Sequence, residues 1–283
     1  MSGIRIAHLI NPVKVTEDRD LYWQQPIVFE SMEKAWNFSS IRDVDIEQFA
    51  CFYPEDEEVV PEYFTKLPPL ERSTEGKFKT SRKLPYFKDM IDRLYEASDA
   101  DYFIQTNADI ILQPYFYELV KRLIESGQDS FCINKRIIPE SFKDGSLPEM
   151  WAYQGHDHAG LDCFIFRREI YPKFDMGEVV MGSAWSEATI MTNMIAYSKN
   201  FDVYKKTNAT LHLGDRRIWL PHAQNEYRIQ NTNEFARVLK KLGKKNKEIF
   251  KHPAIVNQLG KLKHEVTNYK NEVYSKDCWD LIT

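Results

Sequence analysis

The sequence predicts an α/β fold in which a mostly parallel central sheet is flanked by helices. Short apolar segments of strand length alternate along the chain with segments whose apolar residues recur every three or four positions, as in amphipathic helices. Their order, β-α-β-α-β-α-β, is typical of parallel strands joined by helical crossovers. The 283 residues, 43% of them hydrophobic, suffice for one large domain with an appendage.

The elements of the first half follow in chain order. Residues 4–10 form the first strand, residues 26–36 form a helix, and residues 46–53 contain the second strand. Residues 54–80 are rich in charges and prolines, which predicts a long loop. Residues 84–97 place their apolar side chains on one helical face, as expected of a helix that packs on the sheet.

The second half continues the alternation. Its predicted elements are a strand ending near Asp109, a helix opened by Pro114, a strand over 130–138, a polar loop over 155–162, a short strand over 163–166 and a helical run over 188–197. Ser186 is the predicted N-cap of the last of these helices. We expect one domain over residues 1–220 and a helical, basic C-terminal extension over residues 221–283.

The composition argues against several classes of function. The formal net charge is −4, so no general attraction to nucleic acid is expected and no nucleic-acid partner is predicted. No stretch of about 18 apolar residues is present, and the N-terminus lacks the apolar segment of a signal peptide. The four cysteines lie far apart without C-x-x-C spacing, which predicts a reduced, cytoplasmic protein.

The most informative segment is Asn107-Ala108-Asp109, which follows an apolar run. A carboxylate at the C-terminal tip of a buried strand is well placed to bind a metal ion or a phosphate group in an open α/β sheet. The same pattern also occurs in simple polar turns between a strand and a helix. Its meaning therefore depends on residues further along the chain.

Two acidic residues in the second half are candidates for catalysis. Asp162 directly precedes four apolar strand residues, so we expect it to point from the end of that strand into a cleft. Glu187 lies in the first turn of a predicted helix, where the helix dipole favours a carboxylate. It either stabilises its own helix or acts as a catalytic base. His156 and His158 are interpreted as loop residues, because no further ligand stands beside them.

A third polar cluster begins at His212, on a short predicted strand, and continues through Gly214, Arg216 and Arg217. A neutral imidazole is a suitable ligand for a divalent ion, and arginine pairs with phosphate oxygens. The segment therefore has residues that suit a metal-bound diphosphate, although a single histidine on a strand can also be purely structural.

The order of these motifs resembles the GT-A fold of nucleotide-diphospho-sugar transferases over roughly residues 4–220. The resemblance rests on Asn107-Ala108-Asp109, on Asp162 and the strand after it, on Trp185-Ser186-Glu187, and on His212-Leu213-Gly214. It implies a glycosyltransferase that moves a sugar from a nucleotide-diphosphate donor to a hydroxyl of a glycan or other acceptor. It also implies Mn²⁺ or Mg²⁺ as the cofactor.

The resemblance also assigns roles to single residues. Asp109 would bind the metal ion, Asn107 would contact the ribose or the metal, and His212 would be a further metal ligand. In an inverting reaction, which we favour slightly, Glu187 or Asp162 would deprotonate the acceptor. In a retaining reaction, as in family-8-type enzymes, Asp162 would instead position hydroxyl groups of the donor.

The donor nucleotide is expected at the ends of the first two strands, near Asn11, Pro12 and Tyr53, and Arg216 or Arg217 would bind its diphosphate. Two rival functions remain. A non-catalytic GT-A-like binding protein is one, because Asn107 is neutral where the motif usually has an acid. A nucleotidyltransferase is the other, but the segment after the first strand has no glycine-rich phosphate loop.

The C-terminal extension is locally basic. Nine Lys or Arg residues and one acid, Glu248, lie between Arg237 and Lys263. Apolar residues at 235, 238, 239 and 242 share one helical face, which leaves the lysines on the other. This basic face is either solvated or in peripheral contact with an anionic membrane surface.

Overall fold

A computed structural model describes residues 3–41, 44–214, 225–269 and 272–283. The chain divides into two compact units. The sheet unit comprises Met1–Glu71, Asp92–Tyr171 and Lys199–Arg216, and the helical unit comprises Arg72–Ile91, Pro172–Ser198 and Arg217–Thr283. The predicted domain boundary at residue 220 remains a prediction.

All strands of the described residues belong to the sheet unit and form one sheet. They are β1 (Arg5–Ile10), β2 (Asp45–Ala50), β3 (Thr65–Lys66), β4 (Tyr102–Thr106), β5 (Ile111–Leu112), β6 (Ser130–Ile138), β7 (His156–Arg167), β8 (Phe201–Tyr204) and β9 (Thr210–Leu213). The strand order is β3-β2-β1-β4-β7-β6-β9-β5, with β8 paired to β6. Most pairs are parallel; β7 runs antiparallel to β4 and β6, and β5 runs antiparallel to β9. The predicted mostly parallel α/β sheet is confirmed.

The described residues also form eight α-helices. They are α1 (Asp20–Ile41), α2 (Phe87–Ala97), α3 (Phe116–Glu125), α4 (Leu147–Ala152), α5 (Ser186–Tyr197), α6 (Asn225–Lys245), α7 (Pro253–Asn268) and α8 (Lys276–Ile282). Within the described ranges, none of these helices is both long enough and apolar enough to cross a bilayer.

The topology gathers several polar residues at one edge of the sheet. Strand β1 lies between β2 and β4 and is parallel to both. The chain thus adds β2 on one side of β1 and later adds β4 on the other side. In open α/β sheets, ligands bind outside the carboxyl ends of the strands at such a switch point. Asn11, Cys51 and Asn107 each directly follow one of these three strands.

One polar network lies inside the sheet core. His8 on β1 contacts the hydroxyl of Tyr117 through Nδ1 at 2.9 Å and that of Thr106 through Nε2 at 2.8 Å. Gln48 donates to the same Tyr117 hydroxyl at 2.8 Å. Burial lowers the pKa of His8 to about 3, so the imidazole is neutral at physiological pH.

The structure corrects the predicted polar loop over 155–162, because β7 already begins at His156. The first part of β7 pairs with β6 alone, for example Asp157 opposite Arg136, whereas residues 163–167 pair with β4 on the other side. A strand end with one neighbour keeps its polar side chains exposed, as His156 and Asp157 are. The segment therefore has the composition of a loop and the backbone of a strand.

Three other boundaries differ from the predictions. Helix α1 begins at Asp20 and contains Pro26, and α3 begins at Phe116 after a turn that holds Pro114. The segment predicted as a loop over 54–80 contains a 3-10 helix, Pro54–Val59, together with β3. Prolines mark turns and first helical turns equally well, so they place helix ends only approximately.

The helical unit is built around α6. The four residues predicted to share its apolar face are at most 3% exposed and pack with residues of α5, α7 and α8; they are Phe235, Val238, Leu239 and Leu242. The predicted apolar face is confirmed.

Candidate functional site

The centre of the candidate site is a pair formed by Asp109, in the turn between β4 and β5, and His212 on β9. Asp109 Oδ2 lies 3.3 Å from His212 Nε2. The other ring nitrogen, Nδ1, lies 2.8 Å from the carbonyl oxygen of Gly214. A carbonyl oxygen can only accept, so Nδ1 carries the proton in the neutral imidazole, and a lone pair on Nε2 faces the carboxylate. Such a contact is favourable only if a cation, either a proton or a metal ion, is shared between the two groups.

The electrostatics of Asp109 favour its ionised form. Burial alone raises the pKa of a carboxyl group. When the cation shared with His212 is a proton on Nε2, its charge and hydrogen bond, with the charge of Lys135, outweigh burial and lower the pKa of Asp109 to about 2. The second oxygen, Oδ1, is buried and has no hydrogen-bond partner among the described residues. Unpartnered buried acceptors are rare in folded proteins, so this oxygen marks a place where a ligand is expected.

A second pair of contacts fixes Asp162, which lies within β7 and is 4% exposed. Asn107 donates from Nδ2 to Asp162 Oδ1 at 3.0 Å, and Lys135 Nζ lies 2.9 Å from Asp162 Oδ2. The structure thus brings Asn107 and Asp162 together, and both oxygens of Asp162 are engaged by protein groups.

Sequence reasoning missed Lys135. It sits in the strand Ser130–Ile138, and its side chain is only 11% exposed. A lysine in a strand normally turns its ammonium group to water. The available signal was a charged residue within a run of buried strand residues, which implies a buried anionic partner such as Asp162.

The residues present suit a divalent ion only in combination with a ligand. Across the described ranges, no three His, Cys, Asp or Glu side chains converge as metal ligands. Proteins often hold Mg²⁺ or Mn²⁺ through one or two side chains plus substrate phosphates. Asp109 and His212, with the unpartnered Asp109 Oδ1, fit an ion held in that shared way.

The residues predicted to meet the nucleotide lie at the ends of β1 and β2. Asn11 is half-buried, and its Nδ2 donates to the carbonyl oxygen of Cys51 at 2.6 Å. Pro12 is buried, and Tyr53 is 3% exposed. A base that stacks on the Tyr53 ring would require that ring to become exposed, so Asn11 is the most accessible of the three.

The chain after β1 is held in one conformation. Gln25 of α1 accepts from the backbone N–H of Val13 at 2.8 Å and donates to its carbonyl oxygen at 2.7 Å. The backbone N–H of Lys14 donates to the buried Asp56 at 2.7 Å. These contacts give the segment a fixed backbone at the switch point of the sheet.

Glu187 belongs to the helical unit, where it is half-buried in the first turn of α5. The structure corrects the predicted N-cap, which is Trp185 rather than Ser186. The Ser186 hydroxyl instead donates to the carbonyl oxygen of Ser183 at 2.8 Å. The role of Glu187 as a base stays a prediction.

Trp185 has a left-handed backbone, with φ of 71°. This conformation costs a bulky residue roughly 1–3 kcal/mol and persists only where the surroundings enforce it. Here Trp185 Nε1 donates to Glu265 at 2.8 Å, and its ring packs on Phe235 with a centroid distance of 4.8 Å. Asn231 of α6 holds the preceding segment by donating to the carbonyl oxygen of Ala184 at 3.0 Å. The backbone before Glu187 is therefore strained and firmly held.

Arg216 and Arg217, the predicted diphosphate ligands, lie outside the described residues. Their role stays a prediction.

No protein-family model matches the chain, and no curated protein matches it significantly. Among solved structures, residues 1–349 of S. aureus TarS match with a TM-score of 0.55 at 10% identity, over 99% of this chain and 79% of that chain. The same TarS fragment in complex with UDP-GlcNAc matches with a TM-score of 0.52 at 8% identity, over 93% of this chain and 82% of that chain. This chain has the fold of the GT-A glycosyltransferases. The GT-A fold predicted from the order of the motifs is thereby confirmed, and at such low identity the match concerns the fold alone.

Proposed function

We propose that the chain is a glycosyltransferase that transfers a sugar from a nucleotide-diphosphate donor to an acceptor hydroxyl. The observation that carries this proposal is the Asp109–His212 pair, in which a lone pair on nitrogen and a carboxylate oxygen face each other at 3.3 Å on a GT-A fold. The TarS structure that contains UDP-GlcNAc supports a nucleotide sugar as the class of donor. A glycan acceptor, and with it a role in polysaccharide biosynthesis, belongs to the same proposal.

Asp109 and His212 would hold Mn²⁺ or Mg²⁺ together with the donor diphosphate. When bound, the ion supplies Lewis-acid stabilisation of the departing diphosphate. Asn107 already donates through Nδ2 to Asp162, so its amide oxygen is the group that remains for the ribose or the metal. Arg216 or Arg217 would add charge-assisted hydrogen bonds to the phosphates.

On the nucleoside side, Asn11, Pro12 and Tyr53 would contact the base at the carboxyl ends of β1 and β2. On the sugar side, Asp162 would orient donor hydroxyls, because its carboxylate is fixed by Asn107 and Lys135. We propose inversion with Glu187 as the base; a retaining reaction needs no protein base in that role.

The experiment that tests the proposal measures donor binding and turnover together. UDP- and GDP-sugars are titrated by calorimetry with and without Mn²⁺, and sugar transfer or donor hydrolysis is followed in parallel. We expect Mn²⁺ to tighten binding of the preferred donor, and Asp109→Ala to abolish both this effect and turnover without unfolding the protein. Asp144→Ala, which removes an exposed carboxylate from the same unit, is the matched control.

Two results would contradict the proposal. Unchanged metal affinity and turnover in Asp109→Ala would remove the assigned role of this carboxylate. Donor binding without any turnover, across a panel of acceptors, would instead favour a non-catalytic nucleotide-sugar-binding protein.

A further inference from the structure

The helical unit contains a cavity of about 530 Å³, and none of the residues of the candidate functional site lines it. This volume lies within the range of small-molecule sites. Residues 173–178, the end of α5 and one side of α6 form its walls, and its lining includes five basic residues, three acidic residues and two aromatic rings.

The wall over residues 173–178 is rigid. The fully buried Asn193 accepts from the backbone N–H of Asp175 at 2.7 Å and donates to its carbonyl oxygen at 2.9 Å. Gly177 has φ of +56°, a backbone conformation that favours glycine. The backbone of this wall is therefore already ordered in the absence of a ligand.

The acidic residues of the lining are already neutralised. Asp175 pairs with Arg237 at 3.0 Å and with Lys241 at 2.6 Å, and Glu234 pairs with the same Arg237 at 3.1 Å. Glu178 pairs at 2.8 Å with Arg72, which is not part of the lining.

Two lysines of the lining remain without a carboxylate. Lys173 and Lys245 are exposed, and neither has an ion-pair partner among the described residues. With the acids compensated, these two ammonium groups give the cavity an excess of positive charge, which favours an anionic ligand.

The aromatic residues of the lining indicate what the ligand contains besides its anionic group. Phe174 and Tyr197 stack at a centroid distance of 6.2 Å and an interplanar angle of 20°. Flat, half-buried rings offer a sugar ring an apolar surface, while phosphate oxygens accept strong hydrogen bonds from lysine. We propose that this cavity binds a sugar phosphate, with the phosphate at Lys173 and Lys245 and the sugar against Phe174 and Tyr197.

The test is calorimetric titration of the full chain with a hexose phosphate, with inorganic phosphate and with the free hexose. We expect the hexose phosphate to bind more tightly than either fragment. Lys173→Ala/Lys245→Ala should weaken it at least about tenfold, because two charge-assisted hydrogen bonds are lost. Lys244→Ala/Lys247→Ala removes the same charge from neighbouring exposed positions that do not line the cavity, and it should leave the affinity unchanged.

Further binding measurements on variants distinguish this site from the donor site. Asp109→Ala should not change the affinity for the hexose phosphate, and the Lys173/Lys245 double variant should still bind a nucleotide sugar. Tyr197→Leu should weaken the hexose phosphate but not inorganic phosphate, with thermal unfolding as the check on folding. Absence of binding, equal affinity for inorganic phosphate, or loss of binding in Asp109→Ala rather than in the lysine variant would each overturn the proposal.

Discussion

Asp162 and Glu187 lie in different surroundings. Asp162 has an amide donor and an ammonium partner, because Asn107 and Lys135 occupy its two oxygens. Glu187 stands at the start of α5, behind a strained residue that fixes the backbone. The proposal that Asp162 orients the donor and that Glu187 is the base is therefore open to test by substitution.

The first prediction concerns this division of roles. Glu187→Gln keeps the size of the side chain and removes its charge, so turnover should fall by roughly 10²–10⁴-fold while donor affinity stays nearly constant. Steady-state kinetics and donor titration measure the two effects. Glu248→Gln, at an exposed acid of the same unit, is the control. Normal turnover in Glu187→Gln together with a severe loss in Asp162→Asn would transfer the base to Asp162.

The Lys135–Asp162 ion pair leads to a second prediction. Lys135→Met leaves a carboxylate buried without its cation, which should lower the free energy of unfolding by about 3 kcal/mol. Adding Asp162→Asn removes the stranded charge, so the double variant should be more stable than Lys135→Met alone. Chemical denaturation of the parent chain, the two single variants and the double variant measures the interaction free energy between the two side chains. If the changes in the free energy of unfolding from the two single substitutions add up to that of the double variant, the ion pair does not stabilise the fold.

His8 makes stability depend on pH. Its folded pKa of about 3 lies below the value of 6.5 for an unperturbed imidazole, so protonation favours the unfolded chain. The contribution of neutral His8 is fully present above pH 6.5 and is lost as the pH falls towards 3. At pH 5 the loss is about 2 kcal/mol.

Denaturation at pH 7 and pH 5 checks this third prediction. His8→Asn should be less stable at pH 7, because it loses contacts to Tyr117 or Thr106, but its stability should change less between the two pH values. His264→Asn, at an exposed position, should keep the pH dependence of the parent chain. Equal pH dependence in all three proteins would exclude His8 as the source.

At the scale of elements, the connection into β7 depends on one glycine. Gly155 has φ of +63°, and a Cβ there would lie 2.6 Å from the carbonyl oxygen of Ile137 on β6. Gly127, after α3, also has positive φ, of +101°, but no atom lies within 4 Å of its added Cβ. A side chain at either position would strain the backbone, because both residues have positive φ. Only at Gly155 would the side chain also clash with a neighbouring atom.

The fourth prediction compares these glycines. Gly127→Ala should lower the free energy of unfolding by about 1 kcal/mol, because only the backbone conformation is strained. Gly155→Ala should cost more, about 2 kcal/mol or above, because β6 or β7 must move. Thermal and chemical unfolding measure both values. Equal losses in the two variants would show that the register of β6 and β7 does not depend on Gly155.

The elements also show how far the sequence determines the structure. The strand over 130–138 was predicted with its observed bounds, because apolar residues at both ends of the segment lie between two turns. The first half of β7 was missed, since pairing with a single neighbour leaves polar side chains at the surface. Asp109 and His212 were recognised as separate chemical signals, whereas Lys135 was not, because its partner Asp162 becomes adjacent only when β6 and β7 pair.

At the scale of the whole molecule, the basic extension is less basic than its sequence indicates. Four of its nine cations form ion pairs with carboxylates; they are Arg237, Lys240, Lys241 and Lys251. The other five are exposed and have no such partner among the described residues; they are Lys244, Lys245, Lys247, Lys261 and Lys263. These five remain the basis of the proposed peripheral contact with an anionic membrane.

The fifth prediction follows from that count. Each cation near an anionic surface contributes about 1 kcal/mol, so co-sedimentation with phosphatidylserine vesicles should occur at low salt and disappear at high salt. Lys244→Ala/Lys247→Ala should weaken it by roughly 30-fold. Lys34→Ala, at an exposed position of the sheet unit, should have no effect. Binding that is absent at low salt, or insensitive to salt, would leave a purely solvated surface.

The four free cysteines are all fully buried, and they are divided unequally between the units. Cys51, Cys132 and Cys163 lie in the sheet unit, and Cys278 lies in the helical unit. A thiol reagent reaches such a group only when the structure around it opens, so the rate of alkylation reports the population of the open form. Each unit thus contains at least one native thiol whose alkylation rate reports the opening of that unit. Mass-spectrometric labelling of the unmodified protein would time the opening of the two units independently, without any introduced probe.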